Sequence, residues 1–175
     1  MYQSFEKHLF ASLQDFTTPV PGVIETMEQL RREGIRIGST TGYTDAMMKI
    51  VQPGAAAQGY TVDCLVTPDH LPAGPYMIYR NMTELAIPSV DEVVKVGDTI
   101  ADIREGLNAK VCSVGVITGS NELGLTEEEY KTMPEPELYT LKQEVRERMM
   151  AAGAHYVLDN IRELPDLIHN LMNKK

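Results

Sequence analysis

The sequence predicts an α/β fold, a Rossmann-like parallel sheet with helices on both faces, and three observations predict it. First, short apolar runs alternate with longer stretches of helical spacing, the pattern of strands joined by crossover helices. Second, the runs at 35–39 (IRIGS), 93–97 (VVKVG) and 111–117 (VCSVGVI) are apolar without strict alternation, as strands buried in a parallel sheet are. Third, hydroxyl-bearing or acidic residues follow two of these runs, and ligands of such folds bind outside the carboxyl ends of the strands.

Each element follows from local pattern. Phe5, Leu9 and Leu13 recur at helical spacing and predict a helix over 2–15. Two prolines and a glycine within 17–22 break that pattern and predict a linker. Val23, Met27 and Leu30 share a face of a helix over 23–33, which Gly34 ends as a C-cap. The alternation then runs strand 35–39, helix 44–57, strand 63–66, helix 76–86, strand 93–96, helix 100–109 and strand 111–117. A polar segment, 118–136, contains a helix start at Thr126-Glu127-Glu128-Glu129. A charged amphipathic helix over 138–152, a strand at 156–158 and a helix over 160–172 complete the chain. The run 142–148 (KQEVRER) reads as a solvated helix face with i,i+4 pairs. No internal repeat or low-complexity tract interrupts the sequence.

The 175 residues suit one domain of ordinary size, and 43% hydrophobic with 23% charged content is that of a globular chain. The net charge of -9 argues against nucleic acid and anionic membrane surfaces as partners, but leaves small anions open because local dipoles govern those. Cys64 and Cys112 are far apart, form no CxxC pair and lie in apolar runs, so buried free thiols in a reducing compartment are expected rather than a disulfide. No apolar run approaches the roughly 18 residues of a membrane helix. Glu6, Lys7 and His8 interrupt the opening residues, unlike a signal peptide, and the expected location is the cytoplasm.

Two strand ends carry candidate chemistry. Gly38-Ser39-Thr40-Thr41-Gly42-Tyr43 combines free backbone N–H groups, hydroxyls and a following helix N-terminus, which suits a phosphate or phosphonate oxygen. The same residues also describe an ordinary capped turn. Gly97-Asp98-Thr99-Ile100-Ala101-Asp102 sets two carboxylates four residues apart across a strand end and a first helical turn. Such a pair suits Mg²⁺, which takes one or two carboxylates plus waters and substrate oxygens. The competing reading is Asp98 as a helix cap and Asp102 as a first-turn acid. His8, His70, His155 and His169 share no ligand spacing, and no GxSxG, P-loop or GxGxxG pattern is present.

The segments IRIGSTTGYT, QGYTVDCLVTPDHLPAG, VVKVGDTIADIREGLNAK and VGVITGSNELGLTEEEY together resemble the phosphonatase family of the haloacid-dehalogenase superfamily, and the resemblance covers nearly the whole chain. It implies hydrolysis of the C–P bond of phosphonoacetaldehyde to acetaldehyde and phosphate. In such enzymes a cap-domain lysine forms a Schiff base, a strand-borne aspartate attacks phosphorus, and Mg²⁺ neutralises the phosphoryl oxygens. The resemblance implies that Thr41 and Gly42 contact the phosphonate, that Asp98 is the Mg²⁺ ligand and that Asp102 supports the metal site, with the tips bearing Thr41 and Asp98 facing one pocket.

The resemblance also implies departures. The family's first strand, with its nucleophilic aspartate, and most of its helical cap, with the Schiff-base lysine, match nothing here. The chain is therefore expected to be a C-terminal part: 1–16 a cap remnant, 17–22 the linker and 23–175 the core, with a gap where the central strand belongs. The family reads PAGRPYPW where this chain reads Pro72-Ala73-Gly74-Pro75-Tyr76-Met77, so its arginine is absent; Arg80 and Lys95 lie nearby in sequence but not at the matching position. Family homodimers form through cap helices, which makes a dimer doubtful for this chain. The alternative function is a non-catalytic fragment of the same fold that binds an anion or a partner.

Overall fold

A computed structural model describes residues 12–13, 17–70 and 74–173. The predicted opening helix falls outside the described residues except for Ser12 and Leu13, of which Leu13 is buried. Contacts divide the chain into two compact units, Met1–Leu85 and Ala86–Lys175.

In the first unit, 17–20 has no regular structure, and the Gln58 amide holds it by donating to the Thr17 carbonyl at 3.2 Å. Helix α1 (Val23–Arg32) buries Thr26, Met27 and Leu30. Gly34 at φ 81° then closes the helix: its N–H donates to the Arg31 carbonyl, and Ile35 N–H reaches Leu30. That is the C-cap read from the sequence. Strand β1 (Gly38–Thr40) pairs in parallel with β2 (Cys64–Val66), Gly38 opposite Cys64 and Thr40 opposite Val66. The strand was expected at 35–39. The ladder starts later because the Asp63 carboxylate takes the Ile37 N–H at 2.7 Å, and Asp63 N–H returns to the Ile37 carbonyl at 2.8 Å. Helix α2 (Asp45–Ala57) joins the two strands. Helix α3 (Tyr76–Glu84) packs on both, and its buried Asn81 donates to the Ser39 carbonyl at 3.1 Å.

The second unit is a parallel sheet in the order β3 (Val94–Gly97), β4 (Cys112–Val116), β5 (Tyr156–Leu158). Helix α4 (Ile100–Asn108) links β3 to β4. Helices α5 (Glu127–Thr132) and α6 (Glu135–Ala151) lead to β5, and α7 (Leu164–Met172) ends the unit. Its core is one cluster of Ile103, Ile117, Leu123, Val145, Met149 and Ala154. Helix α6 starts before the expected residue 138 because Pro136 is tolerated in a first turn, where its missing N–H costs nothing. The last helix was expected from 160. Instead Asn160 caps a 3₁₀ turn over Ile161–Glu163, and Pro165 opens the α-helix.

All observed pairings are parallel. The chain is thus an α/β fold of parallel strands and helices. Both cysteines are free thiols, half-buried rather than buried as expected, because each opens its strand where cover is thinnest.

Candidate active site

The first tip is the turn after β1. The Thr41 hydroxyl oxygen accepts from Tyr43 N–H at 3.1 Å, and Thr44 caps α2 by accepting from Met47 N–H at 3.3 Å. The Asp69 carboxylate accepts from Asp45 N–H, so a protein carboxylate already serves the start of α2. The capped-turn reading therefore accounts for much of this segment. What it leaves is the Thr41 hydroxyl proton and the Gly42 backbone. A Cβ on Gly42 would meet nothing within 4 Å, so the protein's own packing does not demand a glycine there. Beside this turn, Ser39, Thr41, Tyr43, Met48, Ala55 and Leu65 line a cleft of about 410 Å³, within the size range of small-molecule sites.

The second tip is the loop after β3. Asp98 lies beyond the strand's C-terminal end, and its Oδ2 accepts from Asn121 N–H at 3.0 Å. Oδ1 takes no hydrogen bond among the described residues. Asp102 is differently placed. Its Oδ2 accepts from Thr99 Oγ1 at 2.6 Å and Thr99 N–H at 3.2 Å, while Thr99 Oγ1 accepts from Asp102 N–H at 3.1 Å, a reciprocal capping box. Its Oδ1 pairs with Lys95 Nζ at 3.0 Å, and that ammonium also pairs with Glu105 at 2.6 Å. Burial works against the Asp102 charge, but Lys95 and the Thr99 bonds outweigh it and hold the carboxyl below the usual range. Burial likewise opposes the Lys95 charge, and Asp102 with Glu105 outweighs it, raising the ammonium above its ordinary value.

Close packing explains how the loop is shaped. Lys95 and Gly97 point to the face of the sheet that α4 covers. A Cβ on Gly97 would lie 2.1 Å from the Asp102 Cβ, and one on Gly106 would lie 3.1 Å from the Lys95 Cβ. Glycine at 97 is therefore required for the first turn of α4 to fold back over the strand end. The 118–125 segment braces the same loop: Asn121 N–H holds Asp98, and the Glu122 carboxylate accepts from Ile100 N–H at 3.1 Å.

These braces were not read from the sequence. Asn121 and Glu122 lie more than twenty residues from their partners, so no local spacing announces them. Lys95 and Glu105 did carry a signal, a lone lysine in an apolar strand followed by acids at i,i+3 on the next helix, and it went unread. Lys95 is committed to its two carboxylates, whereas Arg80 pairs with Glu84 at 2.5 Å on an exposed helix face, a contact too solvated to commit the guanidinium. Pro72 and Ala73 lie outside the described residues. Among the described residues no group of three or more His, Cys, Asp or Glu side chains could hold a metal by itself. Asp98 with one open oxygen nonetheless fits Mg²⁺, which fills its octahedron largely with water and substrate oxygens.

The chain resembles known proteins along nearly its full length. A family model for haloacid dehalogenase-like hydrolases matches residues 3–110. The phosphonoacetaldehyde hydrolase of Parabacteroides distasonis is 69% identical over 177 residues, covering 99% of this chain and 67% of that protein. The chain belongs to the phosphonoacetaldehyde hydrolase family. The phosphonoacetaldehyde hydrolase of Bacteroides fragilis is 60% identical over 174 residues, covering 98% of this chain and 66% of its own length. A crystal structure of a phosphonoacetaldehyde hydrolase-like protein from Oleispira antarctica superposes with a TM-score of 0.93 at 31% identity, covering 99% of this chain and 64% of that one. The chain spans about two-thirds of the length of the phosphonoacetaldehyde hydrolases it matches.

Proposed function

We propose that these 175 residues are the portion of a phosphonoacetaldehyde hydrolase that binds the phosphonate and the metal, in an Mg²⁺-dependent cleavage of the C–P bond to acetaldehyde and phosphate. The observation that carries this reading is the 69% identity over 99% of the chain to the Parabacteroides distasonis enzyme. In the proposal Thr41 donates its hydroxyl proton to a phosphonate oxygen, and the open face of Gly42 lets that oxygen approach the backbone. Asp98 offers Oδ1 to Mg²⁺, and Asp102 keeps the loop that presents it in place. Mg²⁺, when bound, supplies neutralisation of the phosphoryl charge. The nucleophilic aspartate and Schiff-base lysine implied by the family match no residue of these 175. Groups that act as a unit lose most of their rate together, so this stretch alone is proposed to bind without turnover.

The test is a thermal melt of the chain with inorganic phosphate and with MgCl₂, each tenfold above its dissociation constant. Each is expected to raise the midpoint by about 3–5 °C. Thr41→Val should abolish the phosphate shift and Asp98→Asn the Mg²⁺ shift. Unchanged shifts in these variants would remove both residues from the site. The pairing of Lys95 with two carboxylates favours a second reading, a non-catalytic fragment that binds an anion or a partner. Catalytic release of acetaldehyde by the chain would eliminate it.

A further inference from the structure

We infer that Glu122 is a positioning residue for the loop that presents Asp98: its carboxylate ties the start of α4 to the 118–125 segment, and its hold on the loop and the hold of a bound cation reinforce each other. The inference rests on the proposed role of Asp98 as a metal ligand. It starts from the backbone donors at the start of α4. The first turn of a helix leaves N–H groups that no carbonyl of the helix can take. Asp102 Oδ2 takes Thr99 N–H, and Thr99 Oγ1 takes Asp102 N–H. That box leaves Ile100 N–H, and Glu122 Oε1 accepts it at 3.1 Å from 22 residues further along the chain.

Asp98 depends on the same segment. Its Oδ2 accepts from Asn121 N–H at 3.0 Å, an exposed bond for which water competes. Such a bond orients a carboxylate only where the backbone that donates it is itself fixed. The residues around Asn121 supply that. Ser120 and Leu123 are 4% and 5% exposed, and Leu123 N–H donates to Ser120 Oγ at 3.0 Å. Leu123 also belongs to the apolar core of the unit. Arg148 on α6 donates to the Glu122 carbonyl at 2.8 Å. Its Nε lies 3.8 Å from the Glu122 carboxylate, a half-solvated pair of little worth, so the bond to Ile100 carries the role. Two consecutive residues thus hold the loop at two points, Asn121 at Asp98 and Glu122 at Ile100. Without the second, the anchored segment and the helix start can drift apart, and Asp98 is tied to only one of them. Groups that orient a metal ligand without touching the ion change metal affinity by about ten- to a hundredfold. The coupling is reciprocal: the factor by which the brace favours the cation is the factor by which the cation favours the brace.

The experiment titrates the full chain with Mn²⁺ and reads free Mn²⁺ by its paramagnetic resonance. It is run in KCl at about 1 M, where a Debye length of about 3 Å suppresses the through-space effect of a changed charge. Glu122→Ala should weaken Mn²⁺ binding about tenfold. Glu122→Gln keeps an amide oxygen that accepts from Ile100 N–H and should bind within about twofold of the native chain. A role confined to capping α4 would lower the melting point of Glu122→Ala and leave the Mn²⁺ affinity of the folded chain unaltered, and that result overturns the inference. Equal weakening in both variants overturns it as well, because the effect would then belong to the charge. Should Glu122→Ala fail to melt cooperatively, the native chain decides by amide exchange followed by NMR. Saturating MgCl₂ should slow exchange at Ile100 N–H about tenfold and leave Tyr130 N–H, bonded to the Thr126 carbonyl within α5, unaffected. Exchange at Ile100 that ignores MgCl₂ overturns the coupling. If Asp98→Asn binds Mn²⁺ as the native chain does, the assignment of Asp98 fails, and the role of Glu122 goes with it.

Discussion

The ion pairs at Lys95 show how one buried charge organises its surroundings. Removing the ammonium alone leaves Asp102 and Glu105 facing each other with their compensation gone. Lys95→Met is therefore expected to destabilise the chain by about 3–5 kcal/mol, and Lys95→Met/Glu105→Gln by clearly less, in urea unfolding. The signs of the two pKa shifts define a pH window. Asp102 is depressed, so its contribution is fully present above the unfolded value of ~3.9 and is lost as the pH falls through the lower folded value. Lys95 is raised, so its contribution is fully present below ~10.4 and is lost as the pH rises through the higher folded value. The stability difference between the native chain and the double variant should be flat between these limits and change only outside them. A difference that moves near neutral pH would contradict the pairing. Tyr130 shows the same logic: the Thr118 hydroxyl and Lys142 lower its phenol below the usual value.

At the scale of single elements, α4 is specified twice, once locally and once by what it lies on. Thr99 caps it, and Thr99→Ala should cost about 1 kcal/mol. Its seat on the strand is stricter. The Cβ of Gly97→Ala would lie against the backbone-fixed Cβ of Asp102, which cannot swing away, so overpacking of about 1–3 kcal/mol is expected together with loss of the Mg²⁺-induced melting shift. Loss of stability with the Mg²⁺ shift intact would separate packing from the site. The helix start was legible, but its cap was read as Asp98, whereas Thr99 caps the helix and Asp102 closes the box. The seat was not legible, because it depends on which strand face α4 covers. The same division explains β1. Apolar residues at 35–37 promised a strand, yet the side chain of Asp63 intercepts the backbone there and the ladder begins at Gly38.

Across the whole chain, protection should follow the distribution of the core. The second unit packs three strands against a single apolar cluster that includes fully buried Ile103, Ile117, Val145 and Met149. Among the described residues, the sheet of the first unit has two strands of three residues, and α2 buries no residue. Two strands alone are marginal in water. Amides of β3–β5 should accordingly exchange with deuterium more slowly than those of β1–β2, by a factor of ten or more under native conditions. Equal protection would show that the first unit draws stability from elsewhere. Periodicity, caps and small-residue strand ends are short-range properties, and reading them was enough to announce the parallel α/β order, the Gly34 and Thr126 helix signals and the residues Thr41 and Asp98 as candidates. Folding alone decided that Asp102 spends both oxygens on Thr99 and Lys95, and that Asn121 and Glu122 brace the loop. Those are choices among partners distant in sequence or equally plausible nearby, and a charged side chain selects among them only when burial removes water as the alternative.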